Sequence, residues 1–455
     1  MAADEEDVSM PNQNPAGEAI YDARALGVPK MMVLGFQHVF AMFGATVLVP
    51  LITGLSVSTT LLMAGLGTLL FHVITRGKVP AFLGSSFAFL GGFAIVAPKL
   101  ADANGELTVP NAEMLPYACG GVVAAGLLYV IVAGLIHLFG VNRVMRFFPP
   151  VVTGPIIISI GLILAPSAIA NASTDWFLAI AALAIIIICN IWGRGMVKII
   201  PILLGVLGSY ALALVTNKVD FGPIAQAQLL GSPIHMEAMA RFDLGAILTI
   251  MPIALAAMME HIGDMAAISA TVGQNFIASP GLARTLLGDG LATSLAGFFG
   301  GPANTTYGEN TGVLALTRVY DPKVIRIAAV AAIILSVSPK FDAIVNTIPT
   351  AIIGGISLML YGMISAIGVR NVVENQVDFT NSRNLIIAAV ILVSALGFNS
   401  VGGITLFQNE SMSISLSGLA IAALLGIVLN AVLPGNDYEF GKDLTGDDSA
   451  NFGRY

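Results

Sequence analysis

From Met31 to Val432 the chain is a succession of apolar runs, each cut off by Gly, Pro or a charge, and most approach the roughly 20 residues that a helix needs to cross a bilayer. Fourteen can be counted. In the first half they are Met31 to Gly54, Thr59 to Thr75, Phe82 to Val96, Tyr117 to Phe139, Val151 to Ile169, Trp176 to Trp192 and Ile199 to Val215. In the second they are Leu244 to Ala266, Thr285 to Phe299, Thr305 to Thr317, Val324 to Val337, Ala351 to Ile367, Leu385 to Phe398 and Leu416 to Val432. Only 10% of the residues are charged, where a soluble chain carries about a quarter. The missing charge is surface that faces lipid, which excludes a water-soluble globule and predicts a polytopic membrane protein.

Lys and Arg collect in the cytoplasmic loops of such proteins. With the amino terminus inside, only Lys99, Lys218, Arg241 and Lys340 of the 20 basic residues fall outside. An even number of spans with both termini cytoplasmic is therefore expected. Asp4, Glu5, Glu6, Asp7 and Glu18 belong to a polar amino-terminal arm, read as an unstructured tail. The basic residues are scattered, so no nucleic-acid partner is expected. Cys119 and Cys189 lie in apolar runs and read as small interior residues, neither a disulfide nor a metal site.

Two runs are too short and too interrupted for simple helices: the third, with FLGSSFAFLGG from Phe82 to Gly92, and the tenth, with NTTYGENTGVLALTR from Asn304 to Arg318. They are third in each set of seven. An odd number of spans per half inverts one half relative to the other, and PPVVTG from Pro149 echoes PTAIIG from Pro349 at the heads of runs five and twelve. Paired interrupted spans in inverted repeats point to a transporter's binding site near the midplane. Gly308 and Gly312 are expected to let the chain leave helical geometry there, exposing backbone groups to a polar ligand.

Glu260 in MMEHIGDMA lies in run eight with Asp264 one turn on, on the same helix face. Glu309 adds a third carboxylate from run ten. An ionised acid in the middle of a span costs roughly 2.5 to 3.5 kcal/mol, so such residues face the protein interior. Bracing between helices is the competing reading for each, and it is the favoured one for Asp289 between two glycines. His38 and His72 read as satisfied interior histidines. A carboxylate withdrawn from water can accept N–H groups and can also take up a proton. No Arg or Lys lies in runs three, eight or ten, so a neutral ligand rich in N–H groups fits better than an anion.

GENTGVLALTR, with Glu309, Asn310, Gly312 and Thr317, resembles the signature of the nucleobase–ascorbate transporter family. QHVFAMFGATVLVP from Gln37, GSSFAF from Gly84 and TTYGENTG from Thr305 look especially like bacterial uracil permeases. The likeness runs from about Lys30 to Pro434. It implies an all-α membrane protein of fourteen spans in two inverted repeats of seven, with broken spans three and ten carrying short antiparallel strands. It implies core-domain segments at 30–140 and 243–345, gate-domain segments at 141–218 and 346–434, an external loop at 219–242, and polar tails at 1–29 and 435–455.

The same resemblance assigns substrate contacts to Glu260, Glu309, Phe87, Gly308 and Tyr307, and proton coupling to Glu260, Asp264 and Glu309. Asn310, Gly312, Thr317, Ser85 and His38 would support the loop. Uracil permeases often have His where this chain has Asp264, which leaves the coupling detail and part of the substrate preference open. The expectation is a uracil importer of a bacterial plasma membrane, driven by protons with sodium as the alternative ion, needing no cofactor or metal, and dimeric through the gate domain. The rivals are a xanthine or uric acid carrier of the same architecture and an anion exchanger on a related fold. A membrane-embedded enzyme is disfavoured, since neither HExxH nor a Ser–His–Asp arrangement stands out.

Overall fold

The computed structural model describes residues 19–101, 107–408 and 413–435. Most of the polar arm (1–18) and of the carboxy-terminal tail (436–455), with the basic residues Lys442 and Arg454, lies outside the described residues. The elements follow the fourteen runs in order. Spans 1 and 2 are Val28–Thr53 and Val57–Ile74, and span 3 is a strand, Leu83–Ser85, followed by a helix, Leu90–Val96. Spans 4 to 7 are Leu115–Phe139, Pro150–Ser173, Trp176–Trp192 and Pro201–Val215. Span 8 is Leu244–Ile250 continued, past Pro252, by Ile253–Val272, and span 9 is Leu282–Phe298. Span 10 repeats the third as a strand, Asn304–Thr306, and a helix, Gly308–Thr317. Spans 11 to 14 are Pro322–Ser336, Thr350–Glu374, Ser382–Ser400 and Gly418–Val432.

Seven helices among the described residues are long and apolar enough to cross a membrane alone. Three of the others are short for identifiable reasons. Spans 3 and 10 spend part of their length as strand, and span 11 ends where Pro339–Asn346 turns off by 90°. The scarce polar residues are used at helix starts. Asp175 accepts from the N–H groups of Phe177 and Leu178, Asp321 from Lys323, Asn381 from Arg383 and Ser417 from Ala420. Such a cap is worth about 1 kcal/mol.

Spans 5 and 12 pack antiparallel along their whole length. Near one end a side chain on Gly354 would strike the backbone of Ala172; at the middle Ser365 donates to Ile158 O at 2.9 Å; at the other end Asn371 approaches Thr153 at 3.5 Å. Gly355 is likewise pressed against Ala179. Gly354 and Gly355 therefore serve close contact within the chain. Gly362, farther along the same helix, faces open space.

The strands of spans 3 and 10 pair antiparallel, Leu83 with Thr306, Gly84 with Thr305 and Ser85 with Asn304, and all six residues are buried. Extended backbone at this depth has to find partners in protein. Leu83 N donates to Thr68 Oγ1 at 2.9 Å, and Thr68 donates back to Leu83 O at 3.2 Å. Ser86 N meets Ala303 O, and Tyr307 N meets Phe82 O. Thr293 Oγ1 covers Asn304 O, while the Asn304 amide reaches Met63 O and Ala292 O.

Two expectations need correction. Gly308 and Gly312 do not break the helix: neither has a positive φ, and the helix runs unbroken from Gly308 to Thr317. The change of geometry falls earlier, at extended Tyr307 (φ −106°, ψ 117°). The glycines supply space instead. The described part of the 1–29 polar tail is also not free: Ile20, Tyr21 and Ala23 dock on the protein through hydrogen bonds to Arg318, Tyr320, Val272 and Asp321.

Candidate substrate-binding site

The helix of span 10 starts in the protein interior, at the end of a buried strand. Its first N–H groups have no acceptor within the helix and carry the positive end of its dipole. One stripe of it, Gly308, Gly312, Ala315 and Leu316, is exposed, and the opposite stripe, Asn310, Val313 and Leu314, is buried. A side chain on Gly312 would meet nothing within 4 Å, and one on Gly308 only Asp264 Oδ1, at 3.9 Å. Gly263, beside Asp264 on span 8, also faces open space. Open space therefore adjoins these three glycines where span 8 meets the helix of span 10, and it is the candidate cavity of the site.

Three carboxylates meet there, all half-buried. Asp264 accepts a hydrogen bond from Thr306 Oγ1 at 2.7 Å, which places it at the head of the span 10 helix. Glu260, one turn away, interacts electrostatically with both Asp264 and Glu309. Acceptors thus come from two separate elements, and the helix start contributes donors. Phe87, Ala88 and Leu90 are buried, and Phe87 packs edge-on against Tyr361 of span 12 with centroids 6.1 Å apart.

The residues predicted to support this region divide by location. Asn310 directs its amide to His38 Nδ1 (3.1 Å) and to His38 O (3.2 Å), fastening the helix to span 1. Tyr307 is 3% exposed, and its hydroxyl donates to Ser85 O at 3.0 Å beside Ser85 Oγ and Thr46, so it clamps the two strands together. Ser85 Oγ also reaches Ala45 O and Thr46 O on span 1. Thr317 bonds Val313 O within its own helix, eight residues and so about 12 Å along the axis from Glu309, away from the cavity.

Thr306, His261 and Arg370 were not singled out from the sequence. Thr306 holds Asp264. His261, next to Glu260 in sequence, points the other way: its Nδ1 lies 2.9 Å from Asp289 Oδ2, with both side chains fully buried. Asp289 is thus withdrawn from the cavity into the packing of spans 8 and 9. His72 contacts Ala81 O at 2.9 Å and accepts from Arg326 at 3.4 Å. Arg370, just past the end of run twelve, is exposed beside Glu374 and bears electrostatically on Asp264, a charge that inspection of runs three, eight and ten misses.

Comparison with known proteins agrees with this architecture. Residues 29–404 match the family model Xan_ur_permease, described as Permease family. A uracil permease of Bacillus caldolyticus is 41% identical over 421 residues, 90% of this chain and 93% of the relative. A uracil permease of Escherichia coli (strain K12) is 38% identical over 426 residues, 90% of this chain and 94% of the relative. Among solved structures, the transmembrane domain of the cyanobacterial bicarbonate transporter BicA superposes with a TM-score of 0.58 at 13% identity, covering 91% of this chain and 99% of that one. The last is a likeness of fold alone. The chain belongs to the xanthine–uracil permease family, the nucleobase–ascorbate transporters that its own motifs resemble.

Proposed function

We propose that this permease imports uracil together with a proton. The observation that carries the reading is the meeting of Glu260, Asp264 and Glu309 beside an open cavity at the start of the span 10 helix. Uracil presents two N–H donors and two carbonyl acceptors. Carboxylates take the donors, and backbone N–H groups, those of Gly308 and Phe87 foremost, take the oxygens. Cytosine sets a ring acceptor against this wall of acceptors, and a buried polar group left unmatched costs about 1 to 3 kcal/mol. The uracil permeases among the relatives support the choice of substrate. A proton carried on one of the three carboxyls neutralises the site for the crossing.

Movement in this reading is between a core of spans 1–4 and 8–11 and a gate of spans 5–7 and 12–14. The close antiparallel packing of spans 5 and 12 supports a gate that moves as a unit. The distribution of Lys and Arg supports cytoplasmic termini, in the plasma membrane of a bacterium, and the gate is the face offered to a second copy. Uptake of labelled uracil into proteoliposomes, with an inward proton gradient, an inward sodium gradient or neither, tests the proposal. Accumulation is expected with the proton gradient and is lost in Glu309→Gln. Accumulation driven by sodium, or by neither gradient, counts against the proton; competition by xanthine but not by excess uracil counts against the substrate.

A further inference from the structure

The helix of span 10 is poorly braced for an element that carries a substrate carboxylate. One stripe of it faces open space, and its first residue follows a strand, so hydrogen bonds at its far end matter to where Glu309 sits. At that end the chain leaves through Arg318, in the left-handed conformation (φ 53°, ψ 26°).

The segment before span 1 docks at this point. Ile20 N donates to Arg318 O at 2.8 Å and Ile20 O accepts from Tyr320 N at 2.8 Å, a parallel bridge across the exit of the helix. Tyr21, stacked at a tilt on Tyr320 with centroids 5.5 Å apart, donates from its hydroxyl to Val272 O at 2.8 Å. Val272 is the last residue of span 8, the helix that carries Glu260 and Asp264. Ala23, fully buried, donates its N–H to Asp321 Oδ2 at 2.8 Å, and Asp321 caps span 11. Lys323 closes the arrangement with bonds to Asp321 at 3.0 Å and Asp22 at 3.1 Å.

Ile20 and Tyr21 thus join the far ends of the two helices whose other parts meet at the cavity, and Asp22 and Ala23 fasten the same strap to the start of span 11. Glu260 lies twelve residues before Val272, about 18 Å along the axis, and Glu309 nine before Arg318, about 13 Å. A small change of angle where the strap holds the ends becomes a shift in the spacing of the carboxylates. We infer that Ile20 to Ala23 are positioning residues for substrate recognition: they hold the helix of span 10 against span 8, and through it set Glu309 relative to Glu260 and Asp264. This rests on the carboxylates being the substrate contacts.

Two variants remove single bonds. Tyr21→Phe keeps the ring contact and deletes the bond to Val272. Ala23→Pro deletes the N–H to Asp321 at the first position of a short helical turn, where proline is tolerated, after an extended Asp22 that suits it. Hydrogen–deuterium exchange on the full chain in detergent gives the readout that needs no ligand. Exchange in Gly308–Thr317 should rise about tenfold in either variant, with span 5 unchanged. Loosening confined to residues 20–26 overturns the inference, whatever the substrate.

Calorimetry with uracil on the folded fraction supplies the second readout. The dissociation constant should rise about fivefold or more in each variant. An unchanged constant, with only the thermal midpoint lowered, assigns the strap to stability and also overturns it. Wild-type protein that binds no uracil rejects the functional reading alone, because the exchange result still decides the strap.

Discussion

Thr306 and Asp264 are joined by a 2.7 Å hydrogen bond that ties the buried strand of span 10 to the helix carrying Glu260. Thr306 belongs to a pair of strands locked on both sides, so the carboxylate takes its position from the least deformable part of the structure. Hydrogen bonds to charged groups are worth about 1.5 to 3 kcal/mol. Thr306→Val keeps the shape and removes the donor, and uracil binding should weaken about ten- to hundredfold. Thr306→Ser should restore most of it. Calorimetric titration of the three proteins makes the comparison, and a valine variant that binds like wild type would deny the bond any part in recognition.

Gly84 and Gly312 give opposite expectations although both sit in the motif region. A methyl on Gly84 would run into the ring and hydroxyl of Tyr307, which is itself held by Ser85, so neither partner can give way. Overpacking of this kind costs about 1 to 3 kcal/mol. Gly84→Ala should therefore lower the thermal midpoint and the yield of folded protein. Gly312→Ala meets nothing, and in a helix alanine is favoured over glycine by about 1 kcal/mol, so stability should hold or improve. Its effect, if any, belongs to transport. Thermal unfolding in detergent beside uptake assays separates the two; a destabilised Gly312→Ala would mean that the open space is filled.

Asn310 is the only polar side chain on the buried stripe of its helix, and the amide is divided between the ring and the carbonyl of His38. Asn310→Leu leaves Nδ1 of a fully buried histidine without that donor, at about 1 to 3 kcal/mol, while the His38 carbonyl keeps its place in the span 1 helix. A lower thermal midpoint is expected, together with weaker uracil binding as the helix detaches from span 1. The double variant Asn310→Leu, His38→Leu should recover stability without recovering binding. Recovery of both would show that Asn310 acts by packing alone.

How much of this was readable from the sequence depends on the range over which the cause acts. The spans were legible because hydropathy acts locally over some twenty residues, and the broken third and tenth spans because SS and NTTYG interrupt it. Glu260, Asp264 and Glu309 stood out because charge is rare in such surroundings. The strand register could not be read: Leu83 and Thr306 are separated by more than two hundred residues, and three-residue strands carry no pattern. His261 was hidden by its neighbour, since adjacent helix positions point about 100° apart and nothing in the spacing names Asp289 as its partner. Arg370 lies beyond the end of its run. The strap was lost in an average, because the acids before it gave the whole arm the composition of a tail.

His261 and Asp289 offer the sharpest test of a buried polar contact in this fold. Their atoms approach to 2.9 Å, and neither side chain has a hydrogen bond to any other group among the described residues. Both side chains are fully buried between spans 8 and 9, and His261 also meets Phe71 edge-on. Removing one member of a buried polar pair leaves the other unmatched at about 1 to 3 kcal/mol, more for a charged group, whereas replacing both by apolar groups of similar volume is often neutral or better. His261→Leu and Asp289→Leu should each lower the thermal midpoint sharply, and the double variant should unfold near wild type. If the single losses simply add, the two residues do not interact and the contact is incidental. A stable double variant that still binds uracil but fails to accumulate it would locate the pair in coupling rather than in recognition, since no part of it faces the cavity.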